Sequence, residues 1–141
     1  PLEIGKLFPE IITVQEACPM WVPIVENNEM NTIGADYFIK KNIQSLINKD
    51  QKIDTIILGC THYPLLMDSI AKFLPPHIKI IAQGEIVANS LFNYLKRHPE
   101  IENCCSKSSI VYFFTTENPS IFPKRGKIFL DQDIDVEHIV L

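Results

Sequence analysis

A thiol, a hydroxyl and an imidazole stand side by side at Cys60, Thr61 and His62, inside the run D-T-I-I-L-G-C-T-H-Y-P-L-L from Asp54 to Leu66. A thiolate at such a point can take up or return a proton, and an imidazole two residues on can supply a further charge or proton. The flanking residues say where these groups sit. Thr55, Ile56, Ile57 and Leu58 run apolar and β-branched without alternation, which predicts a strand of a parallel sheet covered on both faces. Gly59 stops the run and Pro64 suits the first turn of a helix, so residues 59–63 are expected to form a tight loop from a strand's carboxyl end to a helix's amino end. Ligands bind at that edge of open α/β sheets, where unpaired helix N–H groups meet anions and partial positive charge favours thiolate over thiol. Cys-x-His by itself also fits a small buried thiol beside a hydrogen-bonded histidine.

Leu58 to Leu66, L-G-C-T-H-Y-P-L-L, resembles the second cysteine motif of the glutamate racemases, members of the aspartate/glutamate racemase superfamily. That resemblance implies cofactor-independent, two-base interconversion of L- and D-glutamate, in which a thiolate on one face of the substrate removes the α-proton and a thiol on the other face returns one. Cys60 would be one of the pair, His62 would tune it, and Thr61 would bind the substrate through its N–H and hydroxyl. Upstream, the segment Cys18 to Glu26, C-P-M-W-V-P-I-V-E, is similar to the family's C-P-x-x-V-P-x-x-E pattern. The likeness implies that Glu26 lies near His62 and orients or charges it. Taken alone, Glu26 reads as a solvated carboxylate. The similarity continues through G-E-I-V-A at Gly84 and Y-L-K-R-H-P at Tyr94.

The 141 residues, 46% hydrophobic and 21% charged, suffice for a substantial core. Thirteen basic against seventeen acidic residues give a net charge of −4, and no basic stripe marks a nucleic-acid binder. No apolar run has the length of a membrane span and no signal peptide is evident, so the expected address is cytoplasmic. The four cysteines, Cys18, Cys60, Cys104 and Cys105, are read as reduced. They lack the paired spacing of a zinc site, so no metal is assigned. Cys104 and Cys105, in the polar run 102–109, are loop residues.

The elements that must position Cys60 follow from periodicity. The chain begins with Pro1 rather than methionine, which suggests a piece of something longer. Ile11 to Gln15 reads as a short strand, and Pro19 and Pro23 argue against a continuous helix around Trp21. Gly34 to Lys49 places Ala35, Phe38, Ile39, Ile43, Leu46 and Ile47 at helical spacing, an amphipathic helix laid on the sheet. A helix from Pro64 to about Leu74 and a strand at 77–82 complete a strand, helix, strand crossover that predicts parallel pairing. A helix over 85–98 follows, with Glu85 in its first turn and Lys96, Arg97 and His98 in its last, matching the backbone dipole. The lone Gly84 falls short of a phosphate-binding loop. Ile110 to Thr115 is a strand, Thr116 or Asn118 a candidate cap, and Pro123 and Gly126 weaken any long helix after it. Lys124, Arg125 and Lys127 read as solvated, and Val136 to Leu141 as a closing strand.

The fold class is therefore α/β, a parallel sheet flanked by helices. By the resemblance it is one lobe of a two-lobed racemase, residues 1–83 bearing the second cysteine and 84–141 returning toward the other lobe. The family's first-lobe motifs, an aspartate-serine turn and an A-C-N-T-type loop with the first cysteine, have no counterpart here, and Cys18 before Pro19 does not match that loop. The chain thus reads as a C-terminal fragment that needs the missing N-terminal lobe and should not racemise alone, because two-base chemistry requires groups on both faces of the α-carbon. The implied partners are glutamate and a second copy in a homodimer, with no nucleic acid, membrane or cofactor, and the implied role is D-glutamate supply for peptidoglycan and cell shape. Two alternatives stay open: a racemase of aspartate or a related amino acid, whose members tend to carry glutamate where His62 stands, and a non-catalytic thiol-bearing binding module.

Overall fold

The structure, a computed structural model, describes residues 2–118 and 120–140, with Arg125 described by its backbone alone. Pro1, Leu141 at the end of the expected closing strand, and the solvated side chain expected for Arg125 lie outside the described residues. The chain divides into two compact units between Gln83 and Gly84.

The first unit runs α1 (Leu2–Leu7), α2 (Trp21–Glu26), α3 (Ile33–Lys49), β1 (Thr55–Ile57), a 3₁₀ turn (Tyr63–Leu66), α4 (Met67–Phe73) and β2 (Lys79–Ile81). β1 and β2 pair in parallel, with Thr55 opposite Lys79, Ile56 opposite Ile80 and Ile57 opposite Ile81. α3 starts where Thr32 caps it, its hydroxyl accepting the Ala35 N–H at 3.1 Å. Its periodic face buries Ala35, Ile39 and Ile43 against Ile70 of α4, Leu66 of the 3₁₀ turn, Trp21 and Val25 of α2, and Ile56 and Leu58 at β1. Each fully buried aliphatic side chain contributes about 1.5–3 kcal/mol. Leu58 carries the ladder one residue past β1 by donating its N–H to Ile81 at 3.0 Å, so the chain leaves the sheet at Gly59.

A polar network ties residues 15–18 to α3. Glu16 accepts from Lys49 Nζ at 2.6 Å, Ser45 Oγ at 3.0 Å and Asn42 Nδ2 at 3.1 Å, and Lys49 also donates to the Gln15 carbonyl. The Lys49 ammonium first, with Asn42 and Ser45, holds the Glu16 carboxyl below its ordinary value of 4.5 against the opposing effect of burial. A carboxyl whose folded value is depressed stabilises fully above its unfolded value and loses that contribution as acid protonates it. Glu16→Gln should therefore cost about 1–3 kcal/mol at neutral pH. In urea melts at pH 7 and pH 3, its deficit against the parent should shrink on acidification; a deficit that widens would contradict the network's role.

The second unit runs α5 (Gln83–Arg97), α6 (Pro99–Glu102), β3 (Phe113–Thr115), α7 (Phe122–Leu130) and β4 (Val136–His138). β3 and β4 pair in parallel, with Phe113 opposite Val136 and Thr115 opposite His138. α7 carries a glycine in mid-helix for a steric reason. A Cβ on Gly126 would lie 2.4 Å from Cδ1 of Ile134, the buried residue that follows the helix.

Several expectations are corrected. Residues 11–15 join no ladder despite their strand-like composition, because among the described residues no strand pairs with them, and the Ile11 N–H donates instead to the Phe8 carbonyl at 3.1 Å. Trp21–Glu26 is helical in spite of Pro23, which falls in the first turn, where its missing N–H would have had no intrahelical acceptor. Pro123 enters α7 in the same way. The doubly covered strand expected at 55–58 is covered on the Ile56 and Leu58 face only; Ile57, on the other face, is half exposed. The strand expected over 110–115 shortens to Phe113–Thr115, and that expected over 136–141 to Val136–His138. No side chain caps α7; Asn118 instead accepts from Ser120 in the turn before it. Lys127 is exposed as expected but is paired with Asp133 at 2.8 Å.

Candidate active site

Residues 59–62 connect the end of β1 to the 3₁₀ turn, and two backbone bonds set their course. The Tyr63 N–H donates to the Cys60 carbonyl at 3.3 Å and the Leu65 N–H to the His62 carbonyl at 3.1 Å. Pro64 lies at the start of the 3₁₀ turn, where no N–H is required. The chain is thereby turned back on itself, with Cys60 and His62 half-buried and Thr61 exposed.

Glu26 arrives from 36 residues away, on the last turn of α2. Its Oε1 lies 2.8 Å from His62 Nε2. On the other side of the ring, Nδ1 lies 3.8 Å from Cys60 Sγ and 3.5 Å from Thr61 Oγ1. An ionised carboxylate can only accept, so Nε2 carries the hydrogen of the Glu26 bond. In a neutral ring Nδ1 is then an acceptor facing the thiol; in the charged ring it is a donor facing a thiolate. The structure thus brings Cys60, Thr61, His62 and Glu26 together as one polar chain.

The seat of α2 fixes this spacing, through residues that the sequence did not single out. The Trp21 indole donates to Asn42 of α3 at 3.1 Å, and its ring meets Tyr63 edge-on at a centroid distance of 4.9 Å. The Tyr63 hydroxyl reaches the Cys18 carbonyl at 3.5 Å, and burial foremost, then the nearby Cys18 and Cys60, pushes its pKa up. One aromatic pair therefore clamps both ends of the Glu26–His62 contact. The aromatic residues beside the two proline motifs, Trp21 and Tyr63, were the available signal, whereas nothing in the sequence marks Asn42.

Cys18 contrasts with Cys60. Burial, then the Glu16 carboxylate, pushes its thiol up to about 11, and its S–H points to the Glu16 carbonyl at 3.8 Å. It is a packing residue against the core. Cys104 and Cys105 are exposed free thiols following α6. Among the described residues no group of three His, Cys, Asp or Glu side chains is placed to hold a metal ion, and no helix is long and apolar enough to cross a membrane.

No family model matches the chain. Among curated proteins, the glutamate racemase of Streptococcus pyogenes serotype M5 (strain Manfredo) is 38% identical over 139 residues, covering 99% of this chain and 52% of that protein. The enzyme of serotype M49 (strain NZ131) is 39% identical over the same extent. Among solved structures, glutamate racemase isoform RacE1 from Bacillus anthracis superimposes with a TM-score of 0.82 at 31% identity, covering 98% of this chain and 50% of that one. The glutamate racemase of Francisella tularensis, solved in complex with D-glutamate, gives 0.81 at 27% identity, covering 99% and 51%. The chain thus spans about half the length of the curated relatives it matches.

Proposed function

We propose that this chain, related along nearly its whole length to the C-terminal part of the glutamate racemases, supplies one of the two proton-transfer groups of a glutamate racemase. Cys60 is the group in question. As thiolate it takes the hydrogen from Cα of one enantiomer; a thiol on the opposite face, from the complementary half of the enzyme, delivers a proton to the planar carbanion. In the reverse direction the roles exchange, so no atom or electron is gained or lost.

The remaining residues serve that transfer. Charge builds on the substrate carboxylate as the α-proton leaves, and a donor aimed there can be worth about 10²–10³ in rate. Thr61, through its N–H and hydroxyl, is that donor. His62 sets the charge beside the sulfur, and Glu26 acts through His62 as a positioning residue. What supports this reading is the continuous Cys60, His62, Glu26 contact at the strand-to-helix loop. Residues 1–83 form the lobe that carries Cys60, and 84–141 the segment that returns to the other lobe. The assembled enzyme is a cytoplasmic homodimer that works without a cofactor and feeds D-glutamate into peptidoglycan synthesis.

Glu26→Gln tests the relay. A hydrogen bond to a charged group is worth about 1.5–3 kcal/mol, so roughly ten- to hundredfold in kcat/KM. Racemisation by an enzyme assembled from this chain and a complementary racemase half, with D-glutamate and D-aspartate assayed side by side, should fall by that factor and shift its pH–rate profile. An unchanged profile removes Glu26 from the mechanism, and a preference for D-aspartate overturns the substrate assignment.

A further inference from the structure

Cys104 and Cys105 are reactive groups that neither the core nor the candidate active site uses. Both are free and exposed, in the turn that follows α6. We propose that they form a thiol–disulfide exchange site, at which a low-molecular-weight disulfide such as oxidised glutathione closes a reversible Cys104–Cys105 bond and unwinds that turn. The inference is independent of the racemase reading.

The backbone brings both sulfurs to one place. The Asn103 N–H donates to the Pro99 carbonyl at 2.9 Å, the Cys104 N–H to the Ile101 carbonyl at 3.0 Å and the Cys105 N–H to the Glu102 carbonyl at 3.1 Å, so the chain winds on past the end of α6. Each thiol points back along this turn. Cys104 Sγ lies 3.2 Å from the Glu100 carbonyl oxygen, and Cys105 Sγ lies 3.5 Å from that of Ile101. Lys107 ties down the far side, donating to the Glu102 carbonyl at 3.0 Å and to its carboxylate. Two thiols on adjacent residues, beside consecutive carbonyls, are thus open to solvent. Exposure admits a reagent, and adjacency supplies the resolving thiol. Cys18, half-buried and with its thiol pushed up to about 11 by burial first, lacks that access.

The exchange balances without any further reactant. One thiolate of the pair attacks a sulfur of the small disulfide, so a mixed disulfide forms, the reagent's S–S bond breaks and one small thiolate leaves. The second thiolate attacks the protein sulfur of that mixed disulfide, which closes the Cys104–Cys105 bond and expels the other small thiolate. The two protons lost by the cysteines pass through solvent to the departing thiolates. The pair is oxidised by two electrons and the reagent is reduced by two.

Geometry makes the product labile and couples it to the backbone. Consecutive Cα atoms lie about 3.8 Å apart across a trans peptide, short of the roughly 4.4–6.8 Å that disulfides usually span. In a helical turn successive side chains also diverge, by about 100–120°. Closing the ring therefore requires both side chains to swing to one side, and the N–H bonds to Ile101 and Glu102 are what give way. A strained disulfide is more readily reduced than a relaxed one, so the ring reopens when reduced thiol prevails. Such a bond acts as a switch and not as a staple.

Oxidised glutathione added to the full 141-residue chain, followed by peptide mapping in a mass spectrometer, tests the site. The peptide holding Cys104 and Cys105 should lose two hydrogens and carry no glutathionyl group. Cys105→Ser should instead retain one glutathionyl group on Cys104, and Cys104→Ser one on Cys105. In the oxidised parent the amides of Cys104 and Cys105 should exchange at least about tenfold faster than in the reduced one. A roughly hundredfold excess of reduced glutathione should reopen the bond. Free thiols throughout, stable glutathionyl groups on the parent's pair, or a bond from either cysteine to Cys18, Cys60 or a second chain overturns the exchange site. A closed ring with unchanged amide exchange, or one that survives the excess of reduced glutathione, overturns the switch.

Discussion

Cys60→Ala is expected to lower glutamate racemisation about 10²–10⁴-fold in both directions, in an enzyme assembled from this chain and a complementary racemase half. The loss should be two-directional because the proposed mechanism makes the same sulfur base for one enantiomer and acid for the other. Its effect should not come from unfolding. Cys60 is half-buried in a connecting loop, outside the core of Ile39, Ile43, Leu66, Ile70 and Val25, so the variant should keep the parent's urea midpoint. Optical rotation started from each enantiomer in turn gives the comparison. A variant within tenfold of the parent in both directions would contradict the role of Cys60.

Ile39→Ala is expected to cost about 2–5 kcal/mol, a large share of the 5–15 kcal/mol typical of a whole domain. Ile39 is fully buried at the middle of α3, within the cluster that also holds Trp21 and Val25 of α2. Truncation leaves a cavity beneath the helix that carries Glu26. The spacing of Glu26 and His62 depends on Trp21 seated on Asn42 of α3, so activity should fall with stability. Ile39→Val, about 0.5–1.5 kcal/mol, should retain most of both. Urea denaturation of the two variants provides the test, and a loss under about 1 kcal/mol for Ile39→Ala would show that the packing at α3 is looser than its burial indicates.

How far these features could be read from the sequence varies with how local their causes are. The apolar run at 55–57, the stop at Gly59 and the helical spacing of Ala35, Ile39 and Ile43 were legible because each follows from neighbouring residues. Pro23 misled for the opposite reason. Its effect depends on its position within the helix, which is the first turn of α2, and composition does not reveal that position. Residues 11–15 have the composition of a strand, but a strand needs a partner edge, and propensity says nothing about where that edge is. The mid-helix Gly126 is explained only by Ile134, eight residues on, packing where a Cβ would stand.

The candidate site shows the same division. Cys60, Thr61 and His62 were visible as adjacent reactive groups. Glu26, 36 residues from His62, has no local pattern joining it to the imidazole, and its 2.8 Å contact was foreshadowed only by the C-P-x-x-V-P-x-x-E likeness. Asn42, which seats the Trp21 indole of α2 on α3, had no such pointer. Long-range side-chain pairs of this kind are set by tertiary packing.

Solvent deuterium entering the α position of glutamate tests the central claim most directly, because it follows the proton itself. In D₂O the assembled parent enzyme should exchange the α-hydrogen of both enantiomers, read by proton NMR. With Cys60→Ala, the enantiomer whose hydrogen faces position 60 should retain its proton, while the opposing thiol exchanges the other. Exchange of both enantiomers at near-parent rates by Cys60→Ala would show that this sulfur is not the group that moves the proton.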